Sequence, residues 1–171
     1  VELNVTHNQT GVNYYYTTNG IEPTNSDSFT TGNITLYPDT SQNYYSLIPT
    51  NPSFNYPLGG YTTIRANNRG WLPPYNNVDK INIINVKAYK TGCLPSKAIS
   101  RTFFIGEGST PSYTIPVLSI NTDSSNYFSD QTGIYVYGNN ALGNYGGSGM
   151  AWERPTFIEY FDVNKQLIFS R

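Results

Sequence analysis

The chain has 171 residues, a net charge of −1 and a composition that is 37% hydrophobic, 15% aromatic and 12% charged. That length can bury about two-thirds of its unfolded surface, and aromatic richness at near-zero charge excludes the composition of a disordered chain. No basic stripe marks a nucleic-acid surface, no apolar stretch approaches the roughly 20 residues of a membrane helix, and a single cysteine, Cys93, excludes an internal disulfide and a cysteine-only metal site.

Val1-Glu2-Leu3-Asn4-Val5-Thr6 alternates apolar and polar residues, which predicts a strand with one buried face. In the next strand Val12, Tyr14 and Tyr16 share one side, while Asn13, Tyr15 and Thr17 share the other. Asn19-Gly20 follows as a turn pair that tolerates positive φ, and Pro23 halts regular pairing. Tyr14 and Tyr16 are expected to face the core and Tyr15 to lie outward, so this stretch reads as framework before ligand contact.

Residues 37 to 80 carry prolines at 38, 49, 52, 57, 73 and 74 and read as loop, with short strands expected near Tyr44–Ile48 and Thr62–Ala66. Lys80–Lys90 is the strongest strand pattern. Its apolar phase breaks between Ile83 and Ile84, which predicts a β-bulge there. Thr91-Gly92 turns the chain into a returning strand over Ala98–Ile105, giving a hairpin. The Gly/Ser/Pro run from Gly106 to Pro111 marks a domain boundary.

Beyond it, Ile115–Ile120 predicts a strand, Ser124–Asp130 a helical turn capped by Ser124, and Thr132–Gly138 another strand. Gly138–Gly149 is a Gly/Asn-rich loop. Arg154–Ser170 reads as two strands joined at Asp162–Lys165. No helical periodicity lasts three turns, so the fold is expected to be mainly β.

Two stretches carry a resemblance. Tyr15, Tyr16, Thr17, Gly20, Pro23 and Thr24, followed by Ala88, Gly92 and Ser96, resemble the chitobiase/β-hexosaminidase C-terminal-type domain, also described as fibronectin-type-III-associated. Asn19 stands where that family usually has Asp. Ile115-Pro116-Val117, Asp123, Thr132–Tyr135 and Trp152–Pro155 through Phe161-Asp162 resemble the entry to the kinase-like CotH family. The resemblance implies an immunoglobulin/fibronectin-III-like antiparallel β-sandwich over residues 1–108, then the truncated N-terminal part of a CotH-like domain over 109–171. It also implies a bacterial protein that is secreted or held at the cell surface. No charged n-region followed by an apolar run opens the chain at Val1, so an export signal is expected to be removed or to lie outside this sequence. The residues that family uses for nucleotide, metal and phosphoryl transfer map to no position here, so its kinase activity does not carry over.

Gly146-Gly147-Ser148-Gly149 lacks the phosphate-loop spacing and reads as a flexible loop. His7, the lone histidine, reads as a surface residue, and Cys93 as a half-buried bystander. Glu153, Glu159 and Asp162 read as solvated or salt-bridged carboxylates rather than a glycosidase pair. Asn121–Asn126 has oxygen donors at alternate positions, as a calcium loop might, but lacks the glycine and closing glutamate of an EF-hand. A turn with a helix cap is the favoured reading there. The sequons at Asn4, Asn8 and Asn33 fit chance matches in an Asn/Thr-rich chain.

The best carbohydrate platform is Trp71 with Tyr75 and Asn68, although a plug at the edge of the sandwich core is the favoured reading of Trp71. Trp152 is expected to pack a domain junction. The resulting expectation is a non-catalytic accessory module, without cofactor, supporting a downstream domain of the same polypeptide. A polysaccharide-binding module and a fragment of an active kinase are the alternatives.

Overall fold

The computed structural model describes residues 1–38, 81–105, 114–135, 138–141 and 143–171. By internal contacts the chain forms two units. One comprises Val1–Ser41, Asp79–Thr122 and Thr156–Arg171, and the other Gln42–Val78 and Asp123–Pro155. The expected strands near 44–48 and 62–66 and the expected boundary at 108 lie outside the described residues.

The first unit is mainly β and antiparallel throughout, as the sequence predicts. A two-stranded sheet pairs β1 (Glu2–Asn4) with β4 (Asn33–Thr35). A four-stranded sheet runs in the order β3 (Ser28–Thr30), β2 (Asn13–Thr17), β5 (Asn82–Tyr89), β6 (Ile99–Phe103). A three-stranded sheet runs β7 (Val117–Asn121), β8 (Phe157–Phe161), β9 (Leu167–Ser170). The first two sheets form the sandwich. The third is the smaller β segment that follows it.

The sandwich core is apolar because paired residues in antiparallel strands share a face. Tyr14 lies opposite Ala88 and Tyr16 opposite Val86, so the inward phase of β2 continues that of β5. Ile34, Leu36 and Ile84 are fully buried. Leu3, Val5, Tyr16, Val86, Phe103 and Ile105 pack around them. Burying one such aliphatic side chain stabilises by about 1.5–3 kcal/mol relative to leaving it exposed. β3 and β4 were not anticipated from the sequence. They are joined at Thr31-Gly32, where the chain leaves one sheet and enters the other. The Val5 N–H donates to the Gly32 carbonyl at 2.8 Å, and the Val1 amino group to the Leu36 carbonyl at 2.8 Å. These bonds tie the crossover down.

The bulge at Ile83 is absent: β5 pairs with β6 in continuous register from Asn82 to Val86. Ile84, Val86 and Ala88 face the core, while Ile83 and Asn85 face the opposite side, which β7 and β8 cover. Apolar residues in both phases therefore mark a strand covered on both faces. The register shift that does occur lies between Tyr160 and Phe161, in the β8–β9 pairing. The strand expected over Thr132–Gly138 does not form at residues 132–135. There the Gly133, Ile134 and Tyr135 N–H groups donate to the carbonyls of Ser129, Asn126 and Tyr127 instead of to a neighbouring strand.

The second unit contains α1 (Ser124–Phe128). Its cap is Asp123 rather than Ser124, and the Asp123 Oδ1 accepts the Ser125 N–H at 2.8 Å. A loop follows, anchored by buried Asn144, which donates to the Asp130 carbonyl at 3.0 Å and accepts the Asn140 N–H at 3.2 Å.

Candidate functional site

The outer face of the four-stranded sheet, opposite the apolar core, divides into two halves. At the β5–β6 end it is covered by β7 and β8, and the seam is polar. Asn85 and Asn121 are almost completely buried, as are Ser100, Ser119 and Glu159; Thr102 is 8% exposed. Side chains of this kind remain buried only when they are hydrogen-bonded.

Asn85 is the hub of the seam. Its Nδ2 donates to the Ile21 carbonyl at 3.1 Å, and its Oδ1 accepts from Asn121 Nδ2 at 2.6 Å. Asn121 Nδ2 also donates to Ser100 Oγ at 2.5 Å. The Asn85 and Asn121 amides thus tie the Asn19–Ile21 turn, β5, β6 and β7 together. The turn itself is shaped for that docking. Gly20 is buried at φ +86°, and a Cβ there would lie 2.3 Å from the Thr122 carbonyl oxygen. Only glycine meets both conditions. Asn19 Oδ1 accepts the Ile21 N–H at 3.1 Å, closing the turn locally.

A second cluster lies further along the seam. Thr102 Oγ1 and Ser119 Oγ are 2.7 Å apart, and Glu159 Oε2 accepts the Thr102 N–H at 2.7 Å. β6 is the last strand of its sheet, so Glu159 occupies an edge N–H that would otherwise be open to another chain. Glu159 Oε1 has no hydrogen-bond partner and lies 3.6 Å from Arg101 Nη1. The sequence reading of a salt-bridged carboxylate holds for Glu159, but this group is buried rather than solvated. Asp162 Oδ1 accepts the Asn164 and Gln166 N–H groups at 2.8 and 2.9 Å and closes the β8–β9 turn.

At the β3–β2–β5 end the same face carries aromatics. The Tyr15 ring lies 5.5 Å from Phe29 and 5.1 Å, edge-on, from Tyr89. Phe29 is 59% exposed. Tyr14 and Tyr16 face the core and Tyr15 faces out, as the alternation predicts. Lys87 Nζ bonds Glu22 Oε1 at 2.5 Å and stands 5.8 Å over the Tyr89 ring. The Glu22 bond, with the nearby charges, raises the Lys87 pKa against partial desolvation. Beside this patch Tyr89 donates its hydroxyl to the Pro23 carbonyl at 3.2 Å. Asp27 Oδ2 accepts from the Thr24 N–H and hydroxyl at 2.7 and 2.8 Å. Those two bonds, the backbone one first, hold the Asp27 pKa below its ordinary 3.8.

The carbohydrate candidates Trp71, Tyr75 and Asn68 lie outside the described residues. A shallow cleft of about 170 Å³ is lined by His7, Gln9, Tyr89, Lys90, Cys93 and Leu94, among others. His7 is exposed as expected and accepts the Gln9 N–H at Nδ1. Cys93 is exposed rather than half-buried, because it follows Gly92, at φ +78°, on the tip of the β5–β6 connection. In the proposed calcium stretch, Asn121 is spent on the seam and Asp123 on its cap. Among the described residues no three His, Cys, Asp or Glu side chains converge in a way that could hold a metal ion.

In the second unit, Gly147 lies flat under Trp152, where a Cβ would come within 2.3 Å of ring atoms. Arg154 stands 5.7 Å over the same ring and donates to the carbonyls of Thr132 and Ala151. The glycine cluster read as a flexible loop is therefore a packing surface for an indole at Gly147.

Sequence reasoning missed Asn85, Ser100, Thr102, Ser119 and Phe29, and read Asn121 only as a donor of the calcium-loop stretch. A signal existed for Asn85, an amide in the middle of the chain's most apolar strand. Polar residues at such positions mark buried networks. No family model, curated protein or solved structure matches this chain.

Proposed function

We propose that this chain is a non-catalytic accessory module of a larger exported bacterial protein, a chitobiase C-terminal-type sandwich that supports a downstream CotH-like domain. What supports the reading is the use to which the polar side chains are put. Asn85, Asn121, Thr102, Ser119 and Glu159 are consumed in joining one sheet to another and are withdrawn from solvent. A rigid, registered joint between sheets is what a support module needs, since it transmits position from one part of a chain to the next. The test is an ATP-turnover and phosphate-incorporation assay on the purified 171-residue chain, alongside the sequence that the gene encodes past Arg171. Inert protein followed by a kinase-like core fits the proposal. Turnover by this chain alone overturns it.

A second reading, polysaccharide binding, draws on the open aromatic half of the same face, where Phe29 stands exposed beside Tyr15 and Tyr89. Affinity electrophoresis against a panel of β-glucans, chitin and xylan tests it. Retardation that disappears in Phe29→Ala supports this reading, and equal mobility in every gel rules it out.

A further inference from the structure

The β7–β9 sheet turns apolar side chains outward. Its face toward β5 and β6 mixes buried Ser119, Asn121 and Glu159 with Phe161, which is buried against Phe104. Its opposite face carries Leu118, Tyr160 and Phe169 in one row and Ile120 and Ile158 in the next. Leu118 is 53% exposed, Ile120 50% and Phe169 47%. Tyr160 and Phe169 stack at 5.6 Å, which flattens the middle of the surface. A sheet with one solvated face normally turns its polar residues outward. Here the outward residues are apolar as well, so the outer face is shaped for an apolar partner.

The size of the face decides which partner. Half the surface of three large side chains, with smaller shares of two more, is on the order of 400 Å². Two copies face to face would bury about 800 Å², the upper end of lattice-type contacts and below the roughly 1,200 Å² of a stable dimer. Contacts between domains of one chain begin at about 600 Å², because a tether supplies an effective concentration of about a millimolar. The tether point is at hand. The Arg171 and Ile158 backbones exchange both hydrogen bonds at 2.8 Å, which places Arg171 in the Ile120–Ile158 row, at a corner of this face. A chain continuing past Arg171 leaves the sheet from the edge of the apolar patch.

We infer that the Leu118–Ile120–Ile158–Tyr160–Phe169 face is the docking surface for the domain that follows in the same polypeptide, and that this domain meets it with an apolar face of its own. The inference rests on the accessory-module reading only in requiring that a further domain exists. It does not depend on that domain being CotH-like.

The test compares the 171-residue chain with the longer polypeptide that its gene encodes, each as wild type and as Leu118→Lys/Phe169→Lys. In the short chain the double variant should remain monomeric by light scattering and melt within about 2 °C per substitution of wild type, as exposed positions do. In the long chain, hydroxyl-radical labelling of Leu118, Tyr160 and Phe169 should fall several-fold relative to the short chain. In the double variant, labelling of Tyr160 should return to its short-chain rate. Three results overturn the inference: a wild-type short chain that dimerises and is made monomeric by the substitutions, a short chain that unfolds on substitution, or equal labelling in both lengths. A gene that ends at Arg171 also overturns it. A following domain unrelated to CotH, with the labelling protection present, sinks the functional proposal and leaves this inference standing.

Discussion

The two seams of the four-stranded sheet solve the same packing problem with opposite chemistry. On one side Ile34, Leu36 and Ile84 meet as aliphatic side chains, and the contact would tolerate small shifts because dispersion and hydrophobic burial are non-directional. On the other side Asn85, Asn121, Ser100, Thr102, Ser119 and Glu159 meet through directed hydrogen bonds, which accept a single register. The apolar seam holds the sandwich together. The polar seam sets where the β7–β9 sheet sits upon it. The same division fits the apolar outer face of that third sheet: if the joint beneath it is rigid, whatever docks on top is held in place as well.

Substitutions can break each seam separately, and the largest loss is expected in the apolar one. Ile84→Ala should destabilise by about 3 kcal/mol through lost burial and the cavity left behind, read from urea or thermal unfolding. Asn85→Ala should cost about 2 kcal/mol, because it leaves an Asn121 amide proton in the interior without its acceptor and removes one of the two donors to the Ile21 carbonyl, the other being the Thr17 hydroxyl. In a double-mutant cycle with Asn121→Ala the two losses should fall short of additive by about 1 kcal/mol; strict additivity would dissolve the network.

Glu159 sharpens the comparison further, since it offers both a hydrogen bond and a charge. Glu159→Gln keeps an acceptor for the Thr102 N–H and should change stability by less than about 1 kcal/mol. Glu159→Ala removes it and should cost about 2 kcal/mol. Equal losses in the two variants would mean that the pairing with Arg101, not the backbone bond, carries the contact.

The smallest effect is a pH effect outside both seams. The Asp27 pKa lies below its ordinary 3.8, so its contribution is present above the unfolded value and is lost as pH falls through the folded value. An NMR titration should place its midpoint below 3.8. Asp27→Asn should flatten the acid limb of the stability curve while leaving its alkaline limb unchanged. Lys87 acts in the opposite sense. Its raised pKa makes its contribution complete below the unfolded value and lost as pH rises through the folded one, so Glu22→Gln should flatten the alkaline limb.

Local pattern alone determined a good deal about this protein. Alternation in Val1–Thr6 and Asn13–Thr17 announced strands with one buried side. The inward turn of Tyr14 and Tyr16 followed from period two, and the Asn19-Gly20 and Thr91-Gly92 pairs announced turns. The β5–β6 and β8–β9 hairpins were legible because antiparallel neighbours are close in sequence and their turns are written in it. Only the tertiary structure decided which strand faces are covered, because that depends on pairings between residues far apart in the chain. Ile83 and Ile84 looked like a bulge until β7 and β8 covered the second face of β5. Asn85, an amide in the middle of an apolar strand, became a hub once Ile21 and Asn121 were brought to it from two other segments, and Ser100 to Asn121. Burial is a property of the neighbourhood, and a hydrogen-bond partner 36 or 64 residues away leaves no mark in the local period.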